Sequence, residues 1–430
     1  MRQLISEITS SHEGKKVLIR GFVQETRDFG SLKFLVIRDV SGIIQVTAKK
    51  ETADKKVFQE ITKIPRASSI EVEGKVVKSK QAPGGREIVP EKLRIIAKAD
   101  EKIPIDISEK TKTELPKRLD YRFLDLYRPQ VQAIFKIQSE IVNSFRKFFL
   151  NNDFYEIQPP CIIASASEGG TELFPVQYFE KKAFLAQSPQ LYKQMLTPSL
   201  EKVFMTVPVW RAEKHNTTRH LNESRQMDIE VAYADQQEII DYLIKVVKFM
   251  VKNVVENRKE ELSLLGIKLK VPDEKKISYK DAIKLLQKHK IKIKSGEDIP
   301  PDGERKLSEI YPDTIIATYD WPSSIKPFYI MPKDENVKAR LSEGFDAIYG
   351  GIEISSGGQR IHIPELLIER LKAKKLNPKN FEYYVNSFRY GCPPHAGWSI
   401  GLERFTMVIT KQQNIREAAL FPRDRDRLVP

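Results

Sequence analysis

The chain has 430 residues, 40% of them hydrophobic, so it can bury a large core, and two or three domains are expected. Its 72 Lys and Arg exceed its 58 Asp and Glu, a net charge of +14 that suits a polyanionic partner, most simply a nucleic acid, unless Lys and Glu merely coat a thermophile's surface. Two cysteines, Cys161 and Cys392, exclude a disulfide scaffold and a cysteine-based zinc cluster; no HExxH, no run of roughly 18 apolar residues and no apolar signal core occur, so a cytoplasmic protein without membrane contact is expected.

Residues 1–100 are dense in strand patterns. These are 17–23, 33–39, 42–48 after a Ser-Gly turn, the alternating 69–77, and the pieces 87–89 and 93–96. With a short helical piece near 55–63, five strands match a small closed barrel of the OB type. Such barrels bind single-stranded nucleic acid through exposed aromatic and basic residues. Phe34 and Gln45 sit on neighbouring strands and Arg27 precedes the first of them, although Phe34 reads equally as a core aromatic. Residues 101–130 carry prolines and many charges and read as a hinge with one short helix.

Residues 131–150 carry Ile134, Ile137, Ile141, Phe145 and Phe148 at helical steps, ended by Asn151-Asn152-Asp153. Phe154 to Pro160 is a strand stopped by prolines, which fits an edge or interface. Residues 203–209 read as a buried strand, followed by Trp210-Arg211-Ala212-Glu213 and a polar loop holding Arg219 and His220. A second strand alternates, so that Asp228 and Glu230 share one face and Met227, Ile229 and Val231 the other. Arginines from the first strand and loop suit a polyanion; carboxylates from the second suit an ammonium group or a metal. A surface hairpin with solvated charges fits the composition equally well. Long helices are expected near 236–261 and 364–374, and 265–335, poor in site-like residues, reads as an inserted subdomain. Strands and helices do not alternate regularly from 131 to 430, so this part is expected to be an antiparallel sheet flanked by helices, giving an α+β chain behind its barrel.

Three segments together carry a resemblance. Phe154-x-x-Ile157-x-x-Pro160, Trp210-Arg211-Ala212-Glu213 with its hairpin, and Gly397-Trp398-Ser399-Ile400-Gly401-Leu402-Glu403-Arg404 resemble motifs 1, 2 and 3 of the class II aminoacyl-tRNA synthetases. Ala186 to Gln194 (AQSPQLYKQ), Ile354 to Arg360 (ISSGGQR) and Tyr390 to Gly397 (YGCPPHAG) are similar to the archaeal and eukaryotic aspartyl type. The likeness covers nearly the whole chain. It implies a six-stranded antiparallel sheet, an OB-type anticodon-binding barrel, and a homodimer with motif 1 at its interface.

The resemblance also implies roles. Arg211 and Arg404 would be catalytic, Arg211 holding the α-phosphate and the aspartate α-carboxylate and Arg404 standing against ATP, and Arg219 would meet the γ-phosphate of ATP. Glu213, His220 and Leu221 would contact adenine or its surroundings, with Gly401 also at the ATP. Asp346, Glu353 and Ser356 would hold Mg2+, Glu353 also facing ATP and Ser356 the aspartate. Lys193 and Arg360 would pair with the side-chain carboxylate of L-aspartate, Asp228 would take its ammonium group, and Gln190 and Glu168 would complete that site, with Glu168-Gly169-Gly170 as a lid. Trp210 stands where the family has Phe, and Ser224 where many members place a Phe against adenine. On the barrel, Gln24, Arg27, Phe34, Gln45, Pro83 and Glu87 match anticodon and discrimination positions. Pro83 resembles the relaxed type that charges tRNA-Asn as well as tRNA-Asp, whereas Gln24 matches neither pattern. An asparaginyl enzyme, which typically lacks the lysine at 193, is the alternative; a non-catalytic tRNA-binding paralogue would have lost Arg211, Glu353, Arg360 or Arg404, and the asparagine-making paralogue lacks a barrel.

Overall fold

The computed structural model describes residues 3–107, 111–165 and 172–430. The chain divides into two compact units, Met1–Arg128 and Pro129–Pro430.

The first unit is a closed five-stranded barrel in the order β1-β2-β3-β5-β4, built from β1 (Lys16–Asp28), β2 (Leu32–Arg38), β3 (Ile43–Lys49), β4 (Ser69–Lys78) and β5 (Arg86–Ala97). Alternate residues such as Ile19, Val23, Leu35, Ile37, Val46, Val72 and Ile88 fill it. The pieces expected at 87–89 and 93–96 are one strand, because the pairing slips between Glu73 and Gly74 where Pro90 would interrupt the ladder. Gly74 permits this: a Cβ there would sit 2.3 Å from the Val89 carbonyl oxygen. The first strand is longer than its apolar pattern, so Arg27 lies inside β1, opposite Phe34. The hinge segment carries two short helices, Leu115–Asp120 and Arg122–Asp125, not one, and belongs to the first unit. They are held by buried Asp125, which accepts from Arg118 at 2.9 Å and Arg122 at 2.7 Å.

The second unit is built on an eight-stranded sheet, in the order β12-β13-β14-β15-β16-β11-β10-β6. The strands are β6 (Tyr155–Glu156), β10 (Lys202–Trp210), β11 (Glu223–Ala232), β12 (Asp273–Ser278), β13 (Thr314–Tyr319), β14 (Gly344–Tyr349), β15 (Ile352–Arg360) and β16 (His395–Gly401). A separate three-stranded sheet joins β7 (Ile162–Ile163), β9 (Lys181–Leu185) and β8 (Pro175–Tyr178). The six strands from β13 to β10 are antiparallel, as expected; β12 and β6 add a parallel strand at each edge. The segment 265–335 is therefore no inserted subdomain, since it supplies β12 and β13 to the main sheet.

One face of this sheet is apolar. Met227, Ile229 and Val231 of β11, with Trp398 of β16 and Phe204 of β10, pack against helices Pro129–Leu150 and Gln236–Asn257. Phe145 and Phe149 meet Phe204 and Trp398 at ring separations of 5.7–6.3 Å. The second long helix begins at an Asp235–Glu238 capping box and breaks at Arg258, short of the expected 261. The opposite face of the central strands carries the polar residues.

Candidate active site

The β10–β11 hairpin pairs up to Trp210 opposite Glu223; its loop is exposed over 214–218 but pinned at its base. Asn222 donates from Nδ2 to the carbonyls of Arg211 at 2.7 Å and Glu213 at 3.0 Å. The two ends of the loop, Arg211 and Glu213 on one side and Arg219 to Leu221 on the other, line a cavity of about 380 Å³ over the polar face of the sheet. Asp228 and Ser224 enter it from β11, Asp346 from β14, Glu353, Ser356 and Arg360 from β15, and Gly401 from β16. Arg404 reaches it from helix Leu402–Ile409, Gln190 from helix Gln190–Met195, and Arg211, Glu213, Arg219, His220 and Leu221 from the hairpin. Ser224 aside, the structure thus gathers thirteen sequence-expected site residues from separate segments into one cavity. Glu168 lies outside the described residues.

Lys193 is placed differently. It is fully buried but does not line the cavity, because the sheet's own acceptors surround its ammonium. Nζ donates to Asp228 Oδ1 at 2.8 Å and to the carbonyls of Ile229 and Trp398 at 3.2 and 3.3 Å, and lies 3.3 Å from Glu230 Oε2. Arg360 pairs with Glu230 through Nε and Nη2 at 2.8 and 3.3 Å. Two cations and two carboxylates are therefore buried as a net-neutral cluster, and Gly397 makes room for it: a Cβ there would stand 2.1 Å from Glu230 Oε2. Burial disfavours the charge on Glu230, yet Arg360 and Lys193 hold its carboxyl below the ordinary glutamate range. Burial pushes the Asp228 carboxyl up, with Lys193 opposing, and its Oδ2 has no hydrogen-bond partner among the described residues. A buried, unsatisfied carboxylate oxygen on a cavity wall suits an incoming ammonium group.

The rest of the wall divides by charge. Arg404 donates to the Glu353 carbonyl at 3.3 Å, and Arg219 pairs with Glu304 at 3.2 Å. Burial and the neighbouring Asp346 push the Glu353 carboxyl up to about 7, opposed by Arg404 and Lys326. Lys326 donates to both Asp346 oxygens, at 2.5 and 2.6 Å. Two carboxylates that repel each other beside cationic groups fit a divalent cation, whose binding would relieve the repulsion. Burial, then Arg404, holds the His220 imidazole below its ordinary value.

Several site residues escaped the sequence. Glu230 was placed beside Asp228 by strand alternation, but its pairing with Arg360 and Lys193 was not readable. Asp298, Glu304, Trp321, Lys326 and Tyr329 come from the stretch judged site-poor; Glu304 holds Arg219 and the other four line the cavity. Trp321 to Tyr329 has no strand or helix period to read. Glu403, read only as part of a motif, accepts the Arg225 backbone N–H with both oxygens, at 3.0 and 3.2 Å.

That buried carboxyl has a testable consequence. Burial pushes Glu403 up from 4.5 to about 7. The folded state then keeps a proton that the unfolded chain releases, so stability falls as pH rises from 4.5 to 7 and stays lower above it. Glu403→Gln keeps an acceptor for Arg225 without the charge. It is expected to gain about 3 kcal/mol over the native chain at pH 8, with the gap closing near pH 5. Thermal unfolding at the two pH values measures this, and an equal effect at both would refute it.

On the barrel, the candidate nucleic-acid face runs across β1, β2, β3 and β5. Arg27 lies opposite Phe34, Phe34 opposite Thr47, and Gln45 beside Glu87. Phe34 is half-buried, packing edge-on to exposed Phe29 at 5.9 Å, and is not part of the barrel core. Glu87 accepts from Gln45 at 2.8 Å and Thr47 at 2.7 Å. Gln24 lies at the bulge between Val23 and Glu25 with Oε1 unpartnered among the described residues, and Pro83 opens the exposed turn Pro83–Gly85. No helix among the described residues is long and apolar enough to cross a membrane.

Comparison with known proteins adds two families and several relatives. The family of class II tRNA synthetases (D, K and N) matches residues 114–425, and the OB-fold nucleic acid binding domain matches residues 17–96. The chain is 47% identical over 428 residues to the aspartate–tRNA(Asp/Asn) ligase of Methanocaldococcus jannaschii, covering 99% of this chain and 97% of the relative. It is 46% identical over 433 residues to the aspartate–tRNA(Asp) ligase of Pyrococcus furiosus, covering 99% and 98%. Among solved structures, the asparaginyl-tRNA synthetase of Pyrococcus horikoshii bound to asparaginyl-adenylate superposes with a TM-score of 0.95 at 34% identity, over 100% of both chains. The aspartyl-tRNA synthetase of Entamoeba histolytica gives 0.89 at 32%, over 100% of this chain and 93% of that one.

Proposed function

The chain belongs to the class II tRNA synthetases (D, K and N), and on that premise we propose that it charges tRNA with L-aspartate. The single observation that carries the choice of amino acid is the buried cluster: Arg360 on the cavity wall, Lys193 behind it, and Asp228 Oδ2, unpartnered among the described residues. Asp228 takes the α-ammonium group. Arg360, paired to Glu230 along its Nε and Nη2 edge, offers its remaining N–H groups to the side-chain carboxylate. Lys193 adds positive charge from behind. Aspartate and asparagine have nearly the same size, so charge must separate them, and each charge-assisted bond is worth roughly 1.5–3 kcal/mol.

In the first step an aspartate α-carboxylate oxygen bonds to the α-phosphorus of ATP, and the bond to the bridging oxygen breaks with pyrophosphate leaving. Arg211 takes up the charge that gathers on the α-phosphate, Arg219 holds the γ-phosphate, and Arg404 holds the nucleotide from the other side. Catalysis is positioning and charge stabilisation. Asp346, Glu353 and Ser356 would hold Mg2+, which would supply positive charge to the phosphates. With Ser224 too small to stack on adenine, the aliphatic faces of Leu221 and Ile415 and the guanidinium plane of Arg404 take that role; all three line the cavity. In the second step the terminal ribose hydroxyl of tRNA attacks the aspartyl carbonyl and AMP leaves.

The tRNA is held through the barrel, where Phe34 and Arg27 offer stacking and charge to unpaired bases. Both tRNA-Asp and tRNA-Asn are substrates in this reading, supported by Pro83 and by the name of the M. jannaschii relative. The enzyme works in the cytoplasm as a homodimer, whose contact uses the exposed Tyr155 of edge strand β6 together with exposed Leu420 and Phe421. An asparaginyl enzyme is the second reading, favoured by the close P. horikoshii superposition. Aminoacylation with both amino acids on both tRNAs decides. Aspartate on both is expected; asparagine alone overturns the main reading, and aspartate on tRNA-Asp alone overturns the relaxed tRNA choice.

A further inference from the structure

Among the described residues, one group of three side chains has the make-up of a transition-metal site, and none of the carboxylates expected to hold Mg2+ belongs to it. Glu213, His215 and His220 sit in the hairpin loop in an E-x-H-x4-H spacing and bring one ligand atom each within 4.8 Å of one another. We propose that they bind one Zn2+-class cation and that this cation and ATP exclude each other.

The geometry is partly built. His215 Nε2 lies 3.0 Å from Glu213 Oε2, and the two imidazole rings meet edge-on with centroids 4.4 Å apart. Thr217 Oγ1 is 2.5 Å from His220 Nδ1, which leaves Nε2 as the ring nitrogen available to a metal, in the way metal-binding histidines are commonly oriented. The loop is tied at its base, because Asn222 holds the Glu213 carbonyl. Ligand atoms around tetrahedral zinc, at bonds near 2.1 Å, are about 3.4 Å apart. The group therefore needs to close by a little over 1 Å, within reach of side-chain rotation in a surface loop. Two imidazoles and a carboxylate with an open fourth position favour zinc, nickel or copper over Mg2+, which prefers oxygen and keeps its water. Arg211 and Arg404 stand close to His220 and oppose a dication, with Glu213 as the local counter-charge.

Glu213 and His220 also line the cavity, whereas His215 does not. A cation on the three ligands draws Glu213 and His220 together across the part of the cavity assigned to the adenine. The metal site stands without the proposed aminoacylation; only its exclusion of ATP rests on that reading.

The test titrates zinc sulfate into the full chain at pH 7.5, against a zinc-sensing dye and by calorimetry, for the native protein, His215→Ala and His215→Gln. The native chain is expected to bind one equivalent, and both variants to bind at least about tenfold more weakly. Without zinc, both variants are expected to match the native rate of aspartate-dependent ATP–pyrophosphate exchange. With zinc, they should need about tenfold more metal for half-inhibition. An aspartyl-sulfamoyl-adenosine analogue, which has no polyphosphate to chelate the metal, is expected to displace the ion. Absence of a one-equivalent site, or unchanged zinc affinity in both variants, overturns the site. Zinc that stays bound beneath the saturating analogue overturns the exclusion. A chain that binds zinc but shows no aspartate-dependent exchange supports the site and overturns the functional reading instead.

Discussion

Arg211→Ala is expected to lower kcat/KM for aspartate-dependent ATP–pyrophosphate exchange by about 10³-fold while leaving thermal stability within about 1 kcal/mol of the native chain. The asymmetry follows from where the residue sits. Its backbone N–H bonds to the Asn222 carbonyl at 2.9 Å and its carbonyl accepts from the Asn222 side chain, and alanine keeps both. What is lost is a guanidinium on the cavity wall between the hairpin and the strands that carry Asp228 and Glu353. In the proposed reaction this group meets a phosphorus that gains negative charge as its fifth bond forms, so its contribution is larger in the transition state than in the ground state. The loss should therefore fall on kcat more than on KM for ATP. Arg211→Lys keeps the charge but not the planar fork and should recover only part of the rate. Pyrophosphate exchange and thermal unfolding, run on all three proteins, check the claim. A tenfold or smaller loss in the alanine variant would remove Arg211 from the chemistry.

The order of strands and the order of site residues were legible to very different degrees. The barrel was readable because each strand alternates against one small core, and Val17, Ile19 and Val23 announce their inward face without reference to distant residues. β11 was readable for the same reason, and its alternation placed Asp228 and Glu230 on the polar side of the sheet. The pairing of those carboxylates was not readable. Lys193 arrives from a helix 35 residues before Asp228, and Arg360 arrives from a strand 130 residues after Glu230. Resemblance named both cations, but only the packed sheet shows that they spend charge on neighbouring side chains before any ligand arrives. The stretch 265–335 misled for a related reason. Its β12 is a short charged strand whose partner β13 lies some forty residues on, so local pattern gives no hint that both extend the central sheet. Its helix Pro301–Ile310 presents Glu304 to Arg219, a contact made across 85 residues. Site residues of this kind are chosen by what the fold brings together, and sequence period carries no record of it.

The polar cluster behind the cavity also decides how its residues respond to mutation. Lys193→Met is expected to destabilise the chain by about 3–5 kcal/mol, because it takes the nearest cation from buried Asp228 and the second cation from buried Glu230. Asp228 loses its only ion-pair partner among the described residues, whereas Glu230 keeps Arg360. Adding Asp228→Asn removes the stranded charge while leaving the Arg360–Glu230 pair intact. The double variant is therefore expected to recover much of the loss, with a coupling of about 3 kcal/mol in a double-mutant cycle. Activity should not recover with it. At a temperature where circular dichroism shows Lys193→Met to be folded, kcat/KM for aspartate is expected to fall by at least about 100-fold, the equivalent of one or two charge-assisted bonds. The KM for ATP should change much less, since the phosphate-facing arginines are untouched. The proposed selectivity gives the reason: without Lys193 the cluster carries an excess negative charge that repels the ligand's carboxylate. Measuring asparagine activation in the same variant sharpens the point, because a neutral side chain does not meet that repulsion and the preference for aspartate should shrink. A folded Lys193→Met with native aspartate kinetics would show that the buried lysine serves stability alone, and would leave Arg360 as the residue that reads the carboxylate.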